Sequence, residues 1–332
     1  MNKKALITAA ALAVAGLTSL SAQAQSASIY GLMDMSLVSS KAPGATATTT
    51  AAQSGNMTTS FWGLKTTENL GGGLSAEAIL ESFVRMESGN MGRFNGDPMF
   101  SRTASVGLKG DFGSVALGRV TNSLFVNNLI FNSFVDAFGF SPSIRLLHLS
   151  AGQVSGDTGW NESIKYTLPT FANTTVSIHH AVKGSRPGAN TNVSALYFNG
   201  PISAGASWQE VRRRDGAPGS VGASDTNAWQ IGGAYDAKVV KVFAQYGKVE
   251  NVTFKINYDH MGVGASIPVS PVGTVLVQYG QMEPSNASAS KTSSLGYTHF
   301  LSKRTDLYAV YMGEKVPAAS GNTFGVGIRH RF

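Results

Sequence analysis

The chain contains no cysteine, so no disulfide can support its fold. Beyond residue 24 it also lacks any run approaching the roughly 18 apolar residues that a membrane-spanning helix needs. Charged residues make up only 14% of the sequence, whereas glycine occurs 38 times. Packing and backbone pairing must therefore supply the stability, and the composition favours a long all-β protein with many turns.

Residues 1–24 have the pattern of a secretory signal: Lys3 and Lys4, an apolar stretch over 5–20, and an Ala-Gln-Ala cleavage site ending at Ala24. A membrane anchor is the alternative, but the stretch is short and rich in small residues. Cleavage after Ala24 would leave residues 25–332 as one domain of 308 residues. The loss of two lysines would lower the net charge from +7 to about +5.

Polar and apolar residues alternate along most of the chain, as in strands with two different faces. Within 28–35, Tyr30 and Asp34 fall on the face opposite to the apolar residues. Within 74–81, Glu77 and Glu81 fall opposite to the leucines and alanines. Buried carboxylates are costly in a soluble core but acceptable against the water of a channel. The pattern thus favours a transmembrane barrel over a periplasmic β-protein.

Sixteen segments follow this pattern, and an even number of strands is expected when both chain ends lie on the periplasmic side. The predicted strands are 28–38, 57–69, 73–87, 98–111, 113–120, 159–169, 173–182, 192–200, 201–212, 225–236, 237–248, 251–267, 272–283, 291–302, 303–313 and 322–332. The polar stretches 39–56, 184–191, 213–224 and 284–290 are predicted external loops.

The connection 121–158 is much longer than the others, and loops of that length are usually functional. It is also unusually apolar, with phenylalanines at four positions around a single aspartate, Asp136. These are Phe131, Phe134, Phe138 and Phe140. Such a loop is not expected to lie free in water, so we predict that it folds into the barrel interior.

Enzymatic signals are weak. The histidines are scattered and no serine lies in a nucleophile motif, so a barrel enzyme is a minor alternative and no catalytic residue is assigned. His179 and His180 point to opposite faces of a strand and cannot converge on one metal ion. A purely structural or adhesive barrel is the other alternative, but it would have no use for a loop that narrows a channel.

Five short motifs, in order along the chain, resemble those of Gram-negative general porins, particularly the trimeric porins of β-proteobacteria. They are 28–34 (SIYGLMD), 68–74 (ENLGGGL), 106–113 (VGLKGDFG) with Leu117-Gly118-Arg119, 301–308 (LSKRTDLY) and 328–332 (IRHRF). Each motif is weak alone. The resemblance extends over the chain from Gln25 to Phe332.

This resemblance implies an all-β, 16-stranded antiparallel outer-membrane barrel that forms homotrimers, with its third external loop folded into the pore. The function implied is passive diffusion of small hydrophilic solutes and ions, with no cofactor and no nucleic-acid partner. The basic pore wall that the resemblance implies consists of Lys65, Arg102, Arg119 and Lys165. Acidic groups on the loop, here Asp136, would face it, and Glu77 and Glu81, which alternation places in the lumen, would also counter its charge.

Alternation independently places Lys65 and Lys165 on the lumen face. Arg119 shares the parity of outward Leu117, so either a bulge at Gly118 turns it inward or the chain leaves the wall there to begin the loop. Arg102 has the same difficulty relative to Val106, and a bulge between the two is predicted.

At Phe61 relatives often carry an arginine, so a ring replaces one charge of the wall. The loop offers few carboxylates, Asp136 and Asp157. One hypothesis is a narrow eyelet, apolar on the loop side and basic on the wall side, that prefers anions and suits small organic or aromatic acids. The alternative is that the loop phenylalanines only anchor the loop to the wall.

Asp34, Arg329 and Arg331 are predicted in the lumen near the periplasmic end, where the two arginines would set the potential of the pore exit. This holds if Phe332 faces lipid in the periplasmic aromatic girdle. The run formed by Arg212, Arg213 and Arg214 lies in an external loop. It could bind lipopolysaccharide phosphates, for which arginine is suited, or could be a solvated charge run.

Overall fold

The computed structural model describes residues 26–149, 158–184, 188–212 and 224–332. In this part of the chain, neighbouring strands pair antiparallel, and the last strand pairs with the first. The strands are β1 (Ser26–Lys41), β2 (Thr49–Ser54), β3 (Phe61–Gly71), β4 (Leu74–Arg85), β5 (Asn90–Met91), β6 (Thr103–Gly110), β7 (Gly113–Thr121), β8 (Gly159–Thr167), β9 (Thr174–Ala181), β10 (Asn190–Asn199), β11 (Ile202–Val211), β12 (Thr226–Asp236), β13 (Lys241–Asn251), β14 (Ile256–Pro268), β15 (Gly273–Pro284), β16 (Ser290–Phe300), β17 (Thr305–Val316) and β18 (Ala319–Arg331). Closure of the sheet leaves no free edge.

The eighteen strands make a barrel of sixteen, which confirms the predicted fold class. β2 and β3 both pair with β1, on successive stretches of it, and so form one barrel strand with an interruption. β5 has two residues and only extends β4 above the wall. The closing contact also includes the terminal residue, since the backbones of Gly31 and Phe332 exchange two hydrogen bonds of 3.1 Å.

The barrel has the opposite polarity to a soluble protein. Large apolar side chains such as Ile29, Val106 and Ile231 are exposed on the outer face. Polar side chains such as Asn192 and Gln230 are fully buried on the inner face. The period of two in the sequence therefore predicts the faces correctly: the apolar face meets lipid and the polar face meets the lumen.

Several predicted strand boundaries differ from the observed ones by up to five residues, as at 98–111 and 251–267, and two differences affect the site. The stretch 39–56 is not all loop, because β1 continues to Lys41 and pairs with β2. The predicted strand 57–69 begins only at Phe61, since residues 55–60 leave the ladder and turn toward the lumen, where Met57 is buried. β2 has the sequence TTAAQS and is exposed on both faces, so it carries no alternation that would reveal a strand.

Residues 122–149 between β7 and β8 contain helix α1 (Ser123–Ile130), a short helix α2 (Pro142–Ile144) and a π-helical turn (Arg145–Leu149). Asn122 caps α1, and its side-chain oxygen accepts the Phe125 amide at 2.8 Å. Among the described residues, no helix is long and apolar enough to cross a bilayer. Asp157 and the predicted signal with its cleavage site at Ala24 lie outside the described residues.

Candidate pore constriction

The segment from α1 to the π-helical turn, here called the constriction loop, lies against the inner face of the barrel. The Ser133 hydroxyl donates to the Val277 carbonyl of β15 at 2.7 Å. The Ser294 hydroxyl of β16 donates to the Phe140 carbonyl at 2.6 Å. Because the loop bonds to wall strands from their lumen side, it occupies the interior of the barrel.

Three of the four phenylalanines around Asp136 are buried in this contact: Phe131, Phe134 and Phe140. Each ring lies over an inward glycine, where any Cβ would collide with it. The pairs are Phe131 over Gly205 and Gly232, Phe134 over Gly296, and Phe140 over Gly325. Phe138 is only partly buried and packs on Phe125 with the ring centroids 5.8 Å apart. The geometry therefore favours the anchoring alternative for three of the rings.

Asp136 lies at the tip of the loop, beside the interruption between β2 and β3. The Thr58 hydroxyl lies 3.2 Å from its carboxylate and accepts a 2.9 Å hydrogen bond from Arg329. Burial raises the pKa of the Asp136 carboxyl above its ordinary value, while the Thr58 hydrogen bond and the charges of Arg102 and Arg329 act in the opposite direction. One hydroxyl thus connects the loop tip to a wall arginine.

This contact changes the predicted position of Arg329. The sequence predicts it at the periplasmic exit, but it reaches the loop tip through Thr58. Arg329 and Arg331 share the fully buried carboxylate of Asp306, at 2.8 and 2.7 Å. Arg329 also interacts electrostatically with Asp34 and Asp136, so the two guanidinium groups of this cluster are opposed by three carboxyl groups.

Asp34 is fully buried and takes part in barrel closure rather than lining open water. Its carboxylate accepts the backbone amides of Met57 and Thr58 at 2.7 and 2.8 Å and the Tyr308 hydroxyl at 2.7 Å. It therefore holds the strand interruption against β17. Phe332 is exposed, in accordance with the predicted girdle position.

On the neighbouring part of the wall, Arg102 forms a compact cluster with three side chains. Its guanidinium carbon lies 3.9 Å from the centre of the Phe61 ring, and one nitrogen bonds the Glu81 carboxylate. The Tyr30 hydroxyl donates to the other Glu81 oxygen at 2.7 Å. Further down the wall, Lys65 forms an ion pair with Glu77. Alternation predicts Lys65, Glu77 and Glu81 in the lumen, and the structure adds that these charges are paired with one another and with Arg102 on one wall.

The two parity difficulties have different solutions. The β7–β8 register shifts between Gly118 and Val120, and Gly118 has φ +127°, so the predicted bulge turns Arg119 inward. The bulge predicted for Arg102 is wrong. β6 begins at Thr103 and pairs with β4 without a shift, so Arg102 precedes the regular strand and is free of its parity.

Arg119 donates to the backbone carbonyls of Ser101 and Gly159 and to the Asn161 amide oxygen at 2.8 Å. The Lys165 ammonium donates to the Thr121 carbonyl at 3.3 Å. No carboxylate within ion-pair distance of Lys165 is found among the described residues. These two cations therefore stand where the constriction loop leaves and rejoins the wall.

The ion pair between the constriction loop and β17 was not predicted. Arg145 of the loop bonds Glu314 of β17 at 2.8 and 3.1 Å. Alternation along β17 places Glu314 on the same face as Asp306 and Tyr308, so its inward position was detectable. Its partner was not, because nothing in the sequence indicates which wall strand the loop approaches.

Arg212 is held by protein groups at the top of β11 and β12. Its guanidinium donates to the Val211 and Thr226 carbonyls and to Asn227 at 2.7–3.0 Å. Arg213 and Arg214 lie outside the described residues. Lipopolysaccharide binding by this run stays a prediction.

At three inner ion pairs the arginine side chain is more exposed than the carboxylate that it bonds. Side-chain exposure is 32% for Arg102 against 9% for Glu81, 26% for Arg145 against 16% for Glu314, and 36% for Arg331 against 0% for Asp306. Lys65 and Glu77 are the equal case, at 40% each. The water of the lumen therefore meets more cationic than anionic surface at these pairs.

Comparisons with known proteins agree with this architecture. A family model described as Gram-negative porin matches residues 8–316. The outer membrane porin protein 32 of Delftia acidovorans is 31% identical over an alignment covering 99% of this chain and all of that protein. An outer membrane porin protein of Bordetella pertussis is 28% identical over the same share of each chain.

Among solved structures, an anion-selective porin from Comamonas acidovorans superposes with a TM-score of 0.80 at 25% identity, covering 93% of this chain and all of the other. OmpT of Vibrio cholerae, in a trimer form, gives 0.69 at 16% identity, covering 93% and 100%. The closed barrel, the inward loop and the match over most of the chain together establish that this protein belongs to the Gram-negative porin family and forms a channel in the outer membrane.

Proposed function

We propose that this porin is an anion-preferring diffusion channel whose selectivity is set at the constriction loop and the wall of β3 to β8. The observation that carries the proposal is the exposure asymmetry of three inner ion pairs, in which the arginine side chain is more exposed than its carboxylate partner. A charge near water acts on a passing ion, whereas a buried charge surrounded by its partner acts mainly on that partner.

One further cation adds to this effect. Lys165 has no carboxylate partner among the described residues, and its ammonium donates to the Thr121 carbonyl. The similarity to a porin named as anion-selective, at 25% identity, points in the same direction. Asp136 opposes the preference, because it is the one loop-tip carboxylate in the described constriction.

The test is a reversal-potential measurement on the purified protein in a planar bilayer under a potassium chloride gradient. We expect an anion-directed potential for the natural protein and a shift toward cations when Lys65 and Lys165 are both replaced by glutamate. Lys248→Glu is the matched control, because Lys248 lies on the outer face beside Asp259. A cation-directed potential for the natural protein contradicts the proposal.

We also propose a homotrimer. A trimer form among the solved porins of the same fold supports this assembly. Conductance steps in multiples of three, together with a trimer-sized band that collapses to monomer on heating, are the expected results. A channel that gives only single, independent steps and a monomeric mass in detergent contradicts it.

A further inference from the structure

The Phe61 ring is engaged by Arg102. The guanidinium carbon lies 3.9 Å from the ring centre, well within the range of a cation–π contact. Tyr30 approaches the same ring edge-on, with centroids 6.2 Å apart at 76°. A guanidinium that contacts a ring through its face keeps the donors on its edge for a ligand in its own plane.

The cluster is directed to the lumen. Phe61 lies in the same inward row of β3 as Lys65, separated from it by Gly63. Gly63 leaves the space that the Tyr30 ring and the Glu81 side chain occupy, since a Cβ there would lie 2.9 Å from each. Glu81 is engaged by Tyr30 and Arg102 and is nearly buried, while the Arg102 side chain stays about one-third exposed.

A neighbouring arginine has a similar ring contact, but the edge of its guanidinium group is already bonded to a carboxylate. Arg93 lies 5.4 Å from the centre of the Phe83 ring, next to Phe61 across the β3–β4 pair. However, two of its nitrogens bond both oxygens of Asp97 at 2.9 and 3.0 Å. A guanidinium saturated in its own plane by a carboxylate offers less to a passing anion than one that bonds a carboxylate through a single nitrogen.

We propose that Phe61 and Arg102 form a subsite for small aromatic carboxylates, in which the guanidinium edge binds the carboxylate and the Phe61 and Tyr30 rings contact the aromatic body of the solute. The inference rests on the anion-preferring channel proposed above and names a solute class for it. It also moves the apolar element of the eyelet from the loop to the wall, because three of the loop phenylalanines are buried.

The experiment compares benzoate with cyclohexanecarboxylate and acetate as blockers of single-channel chloride current. The first two anions have the same charge and nearly the same size, so their ratio isolates the aromatic contribution. For the natural protein we expect benzoate to bind about three- to tenfold more tightly than cyclohexanecarboxylate, the range of one aromatic pair. Phe61→Leu should reduce this ratio to near one, and Phe61→Tyr should retain it.

Two further variants separate the roles. Arg102→Gln should weaken the binding of all three carboxylates alike, because it removes the charge and leaves the ring. Phe138→Leu tests the rival location on the loop and should leave the ratio unchanged.

The inference is overturned if the natural protein shows no benzoate preference, if Phe61→Leu keeps the ratio, or if Phe138→Leu is the variant that abolishes it. Failure of the proposed function is a separate result, since it appears as a cation-directed reversal potential in chloride alone.

Discussion

The inner faces of β11 to β18 and of β3 to β8 follow the same alternation of residues. The first packs against the constriction loop, whereas the second carries a row of charged side chains. On the first wall the inward positions include glycines and small polar side chains, and the constriction loop packs into the space they leave. On the second wall the inward positions carry Lys65, Glu77 and Glu81, with Arg102 beside them, and Lys65, Glu77 and Arg102 stay partly exposed. Side-chain volume at the inward positions, and not the strand pattern or the presence of charge, decides where the loop packs, because Asp306, Glu314 and Arg329 are inward on the first wall too.

The largest expected effect comes from removing the contact between loop and wall altogether. Deletion of residues 126–140 should raise single-channel conductance several-fold, because the segment that narrows the lumen is lost. Retention of a trimer-sized, heat-sensitive band in the gel would show that the barrel still folds. An unchanged conductance would mean that this loop does not constrict the pore.

A second prediction tests the glycine wall at one residue. Gly232→Leu should displace the Phe131 ring, lower the free energy of unfolding by about 1–3 kcal/mol through overpacking, and raise conductance as the loop loosens. Gly233→Leu is the matched control, since a Cβ on this adjacent outward residue has no neighbour closer than 3.7 Å. Equal melting temperatures for the two variants in thermal unfolding would argue against a close fit between loop and wall.

A third prediction concerns the ion pair that joins loop and wall. Arg145→Glu should destabilise the loop by about 1 kcal/mol or less, because the pair is partly exposed and lies in a wet channel. The effect should appear as greater open-channel current noise. Combining Arg145→Glu with Glu314→Arg should restore a quiet channel. If the reversed pair is as noisy as the single variant, the pair does not hold the loop.

The smallest effect concerns the loop tip. A raised pKa means that Asp136 takes up a proton at a higher pH than an ordinary aspartate. Protonation removes a negative charge near Arg102 and Arg329, so the anion preference should strengthen as pH falls through that pKa and weaken again as pH rises. Reversal potentials measured from about pH 7 to pH 4 should show this change, and Asp136→Asn should lack it. The same pH profile in both proteins would assign the change to other carboxylates.

Much of the fold was predictable from local pattern. The sixteen barrel strands follow from alternation with a period of two, and family membership confirms the outer-membrane channel and the absence of an enzymatic role. β2 was not predicted because its small polar residues form no apolar face. The bulge at Gly118 was predictable since an inward Arg119 conflicts with the parity of Leu117.

The arrangement of the site was harder to predict from the sequence. Local parity could place Lys65, Glu77 and Glu81 in the lumen, but it could not pair Lys65 with Glu77, stack Arg102 on Phe61, or bring Arg329 to Asp136. The last contact runs through Thr58, which lies 271 positions from Arg329 in the sequence. These contacts depend on how the barrel closes and on where the loop lies inside it.

The sequence by itself determined the barrel, since strand periodicity is a local property and a closed sheet is the only arrangement of such strands that satisfies every backbone group in lipid. The tertiary structure alone decided which inward residues face water, because the path of one loop across the lumen buries some side chains and leaves others exposed. Glycine leaves no apolar signal in a pattern, yet the glycines under Phe131, Phe134 and Phe140 set that path by making room for the rings.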